Sequence, residues 1–259
     1  LERGGSDTSA ILCAKFFNAK KCIIYTDVEG VYTTDPNLTK SAKKINKISY
    51  EEMLEMASLG AKVMQPASIQ EARLNRIEID VKSTFSKKSG TTITKKRNIT
   101  GKNIIRGISF TKNDAKLTLL GVKDKPGIAA SIFKPLYENS INVDMVVQNI
   151  SAGSKETDLT FTIKLEDLYK TRKLLENNKS INFRKLIVNK NVSKVSIVGV
   201  GMITTPGVSY RMFRALAKKK INIEVISTSE IKISVLINKK NLKKSVEILH
   251  QEFKLSSSL

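Results

Sequence analysis

The chain has 259 residues, 41% of them hydrophobic and 27% charged, which gives it the length of about two domains and the composition of a globular protein. It has no apolar run of 18 residues, so the sequence predicts no membrane span. The opening LERGGSDTSA does not have the pattern of a secretory signal, and Cys13 and Cys22 are too few for a disulfide framework. We therefore expect reduced thiols and a cytoplasmic protein.

The net charge of +21 would by itself favour a nucleic-acid partner or an anionic surface. The cationic residues, however, are 36 lysines against 9 arginines, and they are scattered in small groups such as 218–220. Arginine is the usual reader of bases and phosphates, and nucleic-acid faces concentrate charge on one element. We expect no nucleic-acid and no membrane partner. The alternative, a DNA-binding protein, would show affinity that falls steeply with salt.

The first 94 residues alternate between helical and strand patterns. Residues 8–18 have apolar residues at helical spacing, and residues 21–26 form a short apolar, β-branched run typical of a buried strand. The residues between 27 and 36 are rich in turn formers and predict a loop.

Two more helices and another strand follow. Ser49 and Glu52 have the spacing of a capping box, which opens a helix that stops at Gly60. Pro66 suits the first turn of a helix through about residue 76, and residues 77–81 alternate like a strand. This order predicts an α/β domain with a mainly parallel sheet, of which residues 1–94 are the C-terminal half.

Residues 95–103 are polar and basic and predict a linker, and residues 104–259 contain an internal repeat. PGIAASIFKPLYENSINVDM at 126–145 aligns with PGVSYRMFRALAKKKINIEV at 206–225 at a constant offset of 80. Each Pro-Gly follows an apolar strand and precedes an amphipathic helix, a strand that starts at an Ile-Asn pair, a further strand and a helix. This predicts two α+β, ferredoxin-like βαββαβ units, at 104–190 and 191–259, each with a weakly marked final strand.

The Pro-Gly turn in each unit leaves the amino terminus of a helix open. Free backbone N–H groups there suit a carboxylate, and Asp124 could hold an ammonium group, so the pair would recognise a zwitterionic amino acid. A simple turn is the alternative. The second occurrence, with the same Ile-Asn pair downstream, favours a ligand-binding module.

These repeats resemble ACT domains, small modules that bind amino acids. RGGSDT at 3–8, YTDVEGVYTTDP at 25–36, ISYEEMLEMASLGAKVMQP at 48–66 and ISTSEIKISVLI at 226–237 together resemble the aspartokinases, amino-acid kinases with two C-terminal ACT domains. The resemblance implies phosphorylation of the L-aspartate side-chain carboxylate by ATP with Mg²⁺, which opens the synthesis of lysine, threonine and methionine. It also implies feedback by lysine and/or threonine at the ACT units.

The resemblance assigns roles in the kinase portion. Arg3 and Ser6 fall where the family contacts aspartate, and Asp7 falls where it orients the catalytic lysines; helix capping is the alternative for Ser6 and Asp7. The implied ATP-binding residues are Tyr25, Thr26, Asp27, Val31, Tyr32, Asp35, Pro36 and Lys62. A turn-rich loop and a solvated surface lysine are the alternatives for these positions.

The resemblance likewise implies effector-binding residues. In the first unit they are Asp124, Lys125, Pro126, Gly127, Ile128, Ala129, Asn142, Val143, Asp144 and Gln148. In the second they are Val208, Ser209, Asn222, Ile223, Ser229 and Glu230. Strand capping is the alternative for the two asparagines. The second unit has two extra residues before its Pro-Gly and no aspartate there, so we expect the two sites to differ.

The family's Lys-Phe-Gly-Gly motif, which clamps the transferring phosphoryl group, does not occur in the sequence. We therefore expect a missing amino-terminal segment and an inactive isolated chain. The alternative is a non-catalytic regulatory subunit. We also expect a homodimer through the ACT units, a surface position for His250, and no metal cluster, since the chain has one histidine and two cysteines.

Overall fold

The computed structural model describes residues 5–61, 63–95, 104–150, 156–178 and 180–256. The predicted linker 95–103 lies outside these residues except for Lys95. Two sheets organise the described chain, one of four strands and one of six. No helix in these ranges is both long and apolar enough to cross a membrane.

The amino-terminal portion is an α/β layer, as predicted. Its elements are α1 (Gly5–Phe16), β1 (Lys21–Thr26), β2 (Lys47–Ser49), α2 (Tyr50–Ser58), α3 (Pro66–Leu74), β3 (Glu78–Ser83) and β4 (Thr91–Thr94). The strand order is β1-β3-β4-β2. The pairs β1/β3 and β2/β4 are parallel and β3/β4 is antiparallel, which confirms the mainly parallel sheet.

The helix signals in this portion act as the sequence predicts. The Ser49 hydroxyl accepts a hydrogen bond from the Glu52 N–H at 3.1 Å, and the Glu52 carboxylate accepts one from the Ser49 N–H at 3.3 Å. This capping box satisfies two donors that the first turn of α2 would leave free. Pro66 stands at the start of α3, where its missing N–H costs nothing.

The remainder is one continuous antiparallel sheet covered by four helices. Its elements are β5 (Gly107–Lys123), α4 (Ile128–Glu138), β6 (Val143–Ile150), β7 (Glu156–Lys164), α5 (Leu168–Glu176), β8 (Lys185–Val198), α6 (Val208–Lys218), β9 (Ile223–Thr228), β10 (Lys232–Asn238) and α7 (Leu242–Glu252). Short 3₁₀ turns lie at Leu165–Asp167, Val200–Thr204 and Lys239–Asn241. The strand order is β6-β7-β5-β8-β10-β9.

The two long central strands, β5 and β8, each serve both repeats. Residues 114–123 of β5 begin the first repeat, and residues 185–192 of β8 supply its final strand. Residues 192–198 of β8 begin the second repeat, but its last strand is residues 107–111 of β5, which come before the first repeat in the chain. The expectation of a final strand after the last helix is therefore wrong, because an earlier segment already pairs there. Ile105 and Ile108 accordingly pack in the core of the second repeat.

The repeats match in detail around their helices. Gly127 and Gly207 have φ of 86° and 84°, a left-handed conformation that glycine adopts freely. At the other helix ends, the N–H groups of Ile141 and Ile221 donate to carbonyls five residues earlier, at 2.9 and 3.1 Å. Each isoleucine thus still belongs to its helix end, so the strands begin two residues later than predicted, at Val143 and Ile223.

Candidate functional site

A loop follows β1 at the edge of the sheet where two parallel strands end. The N–H of Thr84, just after β3, donates to the carbonyl of Thr26 at 2.8 Å, so the two strands stay paired to their last residues. In open α/β sheets, ligands bind beyond the carboxyl ends of the parallel strands. This position makes the loop a candidate nucleotide site.

The hydroxyl of Thr91, at the start of β4, fixes the path of this loop. It accepts a hydrogen bond from the N–H of Val31 at 2.8 Å and donates one to the carbonyl of Ile45 at 2.6 Å. The approach is tight, because a Cβ at Gly30 would lie 2.5 Å from the Thr91 oxygen, and φ at Gly30 is +143°. Gly30 is therefore required by both space and backbone conformation.

The predicted nucleotide residues divide into an exposed group and a buried one. The side chain of Tyr25 is 62% exposed, and Asp27 and Pro36 are also exposed, so they are available to a ligand. Val31 is 1% exposed and packs in the core, and its main chain is bound by Thr91 and Ile45. Asp35 uses its carboxylate to accept the N–H of Asn37 at 2.8 Å, which stabilises the turn.

Two predicted residues, Thr26 and Tyr32, are half-buried, and a lysine that was not predicted lies beside the same loop. Thr26 donates its hydroxyl to the Asp27 carboxylate at 3.1 Å. Tyr32 is half-buried, and burial together with nearby Glu29 raises its pKa above the ordinary value. Lys88, which no sequence motif indicated, lies 3.0 Å from the Glu29 carboxylate and places its ammonium group beside the loop.

Asp7 lies in the first turn of α1, beside the start of α3. Its carboxylate lies near the main-chain N–H of Gln65, three residues after Lys62. Burial is the larger influence and raises the pKa of the Asp7 carboxyl, while the Gln65 hydrogen bond lowers it. Ser6 is exposed in the same turn. Arg3 and Lys62 lie outside the described residues.

His250 is buried, with 1% exposure, so its predicted surface position is wrong. Its ring reaches from α7 to the loop after β1, with Nε2 2.9 Å from the Thr33 hydroxyl and Nδ1 3.2 Å from the Ser41 hydroxyl. The helical pattern of α7 was readable from the sequence. The polar partners that make burial tolerable lie more than 200 residues away and were not.

In the first ACT-like unit, the predicted effector turn is open to solvent. Residues 124–127 are exposed, and Gly127 precedes α4 with no side chain capping the helix. Ile128 is buried beneath the turn, and Ala129 is half-buried. The free N–H groups of this first turn suit a carboxylate, as the sequence predicts.

The other predicted residues of that unit lie elsewhere on the sheet. Val143 pairs with Ile163, which in turn is opposite Ala115, whereas the turn follows Lys123. The strand between Ala115 and Lys123 spans about 26 Å at roughly 3.3 Å per residue. Asn142, exposed beside Val143, is thus far from the turn of its own chain, and Gln148, opposite Leu159, is nearer.

Ion pairs cross between the two repeats where the edge strands β6 and β9 approach each other. The Asp144 carboxylate on β6 is held by Lys194 of β8, whose side chain is 5% exposed. Glu224 on β9 is held by Lys116 of β5 at 2.5 Å and by the Asn189 amide. Asp144 and Glu224 are equivalent residues of the repeat, and Lys116 and Lys194 precede its equivalent apolar strands. This symmetry is visible in the sequence, from which only Asp144 was predicted to have a role, as an effector-binding residue.

In the second unit, Val208 is buried, Ser209 and Ile223 are half-buried, and Asn222 is exposed. The two extra residues before its Pro-Gly are accommodated by the 3₁₀ turn Val200–Thr204. Ser229 and Glu230 line a cavity of about 560 Å³ between the second unit and the amino-terminal portion. The other lining residues are Ser49, Glu51, Lys95, Val200, Ile203 and Ile231.

No group of three or more histidine, cysteine or carboxylate side chains in the described parts of the chain could hold a metal ion. This finding concerns resident metals only. A metal that enters with a nucleotide needs no such preformed cluster.

Comparison with known proteins agrees with this architecture. The model of the amino acid kinase family matches residues 1–83, and the ACT domain model matches residues 117–178 and 195–253. The chain is 46% identical over 259 residues to the aspartate kinase of Pseudomonas putida KT2440, covering 99% of this chain and 63% of that protein. It is 46% identical to the aspartokinase of Helicobacter pylori 26695, covering 98% of this chain and 64% of that protein. The chain thus spans slightly less than two thirds of these relatives.

Solved structures give the same result. Clostridium acetobutylicum aspartate kinase superposes with a TM-score of 0.88 at 27% identity, covering 98% of this chain and 59% of that one. E. coli aspartokinase III with aspartate and ADP gives 0.80 at 28% identity, covering 96% and 56%. The same protein with lysine and aspartate gives 0.79 at 29%, covering 98% and 56%. A structure of aspartokinase alpha and beta subunits gives 0.54 at 42%, covering 58% of this chain and 99% of that one.

An amino acid kinase portion joined to two ACT domains defines the class of this molecule. The identity over almost the whole chain narrows the class further. The chain belongs to the aspartokinase family.

Proposed function

We propose that the protein containing this chain transfers the γ-phosphoryl group of ATP to the side-chain carboxylate of L-aspartate in the cytoplasm, as the first step toward lysine, threonine and methionine. The observation that carries the proposal is the loop at the carboxyl ends of β1 and β3 in a chain 46% identical to an aspartate kinase. The neighbouring structure of E. coli aspartokinase III holds aspartate and ADP, which supports the same pair of ligands here.

The residues of the loop fit a nucleotide. The exposed ring of Tyr25 offers a face for adenine, and the exposed carboxylate of Asp27 can accept hydrogen bonds from ribose hydroxyls. Lys88 beside Glu29 contributes positive charge near the phosphates. When bound, ATP supplies the phosphoryl group, and Mg²⁺ neutralises part of its negative charge.

Asp7 acts as a positioning residue in this proposal. It lies at the start of α1, near the main-chain N–H of Gln65 in the chain segment that follows Lys62. An ionised carboxylate at that point can also orient lysine ammonium groups toward the phosphates. Ser6, exposed in the same turn, and Arg3 are the proposed contacts to aspartate.

We propose that lysine and/or threonine bind to a homodimer formed by the ACT units. Within one chain the turn 124–129 and Asn142 are separated by about half the length of β5, so one small amino acid cannot touch both. A second copy can bring its own β6 to the turn, which completes a site that one chain leaves incomplete. Lysine is supported as an effector by the neighbouring structure of E. coli aspartokinase III with lysine and aspartate.

The alternative is a non-catalytic regulatory subunit. A regulatory subunit of aspartate kinase from Thermus thermophilus is 36% identical over 58% of this chain, with a TM-score of 0.55. The remaining part of this chain includes the loop after β1 and the sheet beneath it. The alternative therefore leaves the amino-terminal α/β portion without a role.

The test is aspartate-dependent release of ADP from MgATP, measured for the isolated chain and for a longer polypeptide that supplies the Lys-Phe-Gly-Gly segment. We expect activity in the longer polypeptide and a rate at least about 100-fold lower in the isolated chain, because one of the charges that clamps the phosphoryl group is missing. ADP release in the longer polypeptide that does not depend on aspartate would contradict the proposal.

A further inference from the structure

The buried contact of His250 joins two parts of the molecule that are far apart in sequence. Thr33 lies within the proposed nucleotide loop, between Tyr32 and Asp35, and His250 lies near the end of α7 in the second ACT unit. Their side chains meet at 2.9 Å, and both residues have exposures of at most 1%. A buried polar contact of this kind is costly to lose, because His250 Nε2 and the Thr33 hydroxyl would lose their contact with each other in a place that water does not reach.

Besides its contact with His250, Thr33 makes three hydrogen bonds that fix the loop. Its N–H donates to the Lys43 carbonyl at 2.8 Å, and its hydroxyl accepts the Lys43 N–H at 3.0 Å. Its carbonyl accepts the N–H of Ile108, on β5, at 2.7 Å. The loop is therefore closed on itself at Thr33 and attached there to two elements of the second unit, β5 and α7.

One neutral form of the imidazole satisfies both of its contacts. The Thr33 hydroxyl already accepts from Lys43, so its single proton is free to point to Nε2 of His250. Nδ1 then carries the ring proton and donates it to the Ser41 hydroxyl at 3.2 Å. Burial lowers the pKa of His250, which favours this neutral ring.

A continuous set of contacts runs from the second unit's predicted effector positions to this ring. Arg211 stands in the first turn of α6, just after Val208 and Ser209. Its guanidinium pairs with the Glu252 carboxylate at 3.0 Å and donates to the Glu252 carbonyl at 2.8 Å. Glu252 is two residues beyond His250, so a displacement at the start of α6 reaches the ring through one ion pair and half a turn of helix.

We propose that His250 is a positioning residue for nucleotide binding. Its hydrogen bond to Thr33 holds the loop 31–43 in the conformation that binds the nucleotide. Through the same bond, the second ACT unit changes the affinity for ATP. The proposal rests on the proposed function of the loop. It places the point of communication between sensor and kinase in one buried hydrogen bond.

The test compares His250→Ala, His250→Gln, Thr33→Val and the double variant Thr33→Val/His250→Ala with the unmodified chain. Ser245→Ala is the matched control, because Ser245 is also buried on α7 but donates only to the Asn241 carbonyl of its own helix. Two quantities are measured: amide hydrogen exchange of residues 31–43 by mass spectrometry, and the Kd of ADP with Mg²⁺ by calorimetry. Thr33→Val leaves α7 intact should His250→Ala fail to fold.

We expect His250→Ala and Thr33→Val each to speed exchange of residues 31–43 and to raise the Kd of ADP about 10-fold. The effects of the two single changes should not add in the double variant, because both remove the bond between Thr33 and His250, although each also removes one bond of its own. His250→Gln, whose amide can reach the position of Nε2, should restore much of the affinity, and Ser245→Ala should leave both quantities unchanged.

Two results would overturn the proposal, and they have different consequences for the proposed function. Unchanged exchange and ADP affinity in His250→Ala and Thr33→Val would overturn it while leaving the proposed function intact. Failure of the unmodified chain to bind ADP would overturn the proposed nucleotide site and, with it, the role of His250.

Discussion

Single hydroxyl and carboxylate groups set the geometry of the proposed active site. The Thr91 hydroxyl holds the loop after β1 by two hydrogen bonds, and the absence of a side chain at Gly30 leaves room for that hydroxyl. Asp7 lies in the first turn of α1, near the main chain at the start of α3. Such residues determine where the groups that face the ligand lie, although they are themselves less exposed than those groups.

Asp7 provides a prediction at this scale. Burial raises the pKa of its carboxyl, so folding favours the protonated form, and the stability that this form contributes is lost as the pH rises through the folded-state pKa. At pH 7 the ionised group is held at a cost to the fold. Asp7→Asn keeps an oxygen for the Gln65 N–H and removes that cost.

We therefore expect Asp7→Asn to unfold at an equal or higher urea concentration at pH 7, while aspartate-dependent ADP release in the longer polypeptide falls by about 10-fold or more. Near pH 3, where the carboxyl is protonated in both states, the difference in stability should vanish. A variant that is less stable at pH 7 yet fully active would contradict the role given to Asp7.

At the scale of elements, β5 and β8 join the two ACT units into one body. Each strand pairs in both repeats, and each carries a lysine that pairs with the other repeat's acidic residue, Lys116 with Glu224 and Lys194 with Asp144. The side chains of Lys116 and Glu224 are each less than one-fifth exposed. Their ion pair is therefore poorly screened by solvent, and it links the central strand β5 to the edge strand β9.

A double-mutant cycle with Lys116→Met and Glu224→Gln tests this link. We expect a coupling free energy of about 1–3 kcal/mol from urea unfolding, since either single change leaves a partly buried charge unpaired. The matched control is the exposed pair Arg172–Glu176 on α5, at 2.7 Å, for which about 0.3–0.5 kcal/mol is expected. Equal coupling in the two cycles would show that the cross-repeat pair is only a surface contact.

At the scale of the whole molecule, short-range sequence signals predicted the helices and strands, whereas contacts between residues far apart in the sequence determine how these elements pack together. The capping box at Ser49, Pro66 at the start of α3 and the offset of 80 between repeats were readable because they depend on neighbouring residues. The strand exchange between repeats was not readable, since residues 107–111 pair with a segment nearly 90 residues away. The burial of His250 was missed for the same reason.

Polar contacts hold the amino-terminal portion against the second ACT unit. Glu52 divides its carboxylate between them, accepting the Ser49 N–H of its own capping box and, at 3.1 Å, the N–H of Val200 at the 3₁₀ turn after β8. Lys232 of β10 pairs with Glu55 of α2 at 2.9 Å. These contacts attach the second ACT unit to the portion that it is proposed to regulate.

The most direct test of the account is calorimetric titration of the folded chain with L-lysine and with L-threonine, each in the presence of Mg²⁺ and at physiological salt. The account predicts saturable binding of at least one, with one or two sites per dimer, and loss of that binding in Asp124→Ala without loss of the folded state. A folded dimer that takes up neither amino acid would contradict the claim that the ACT units sense lysine or threonine.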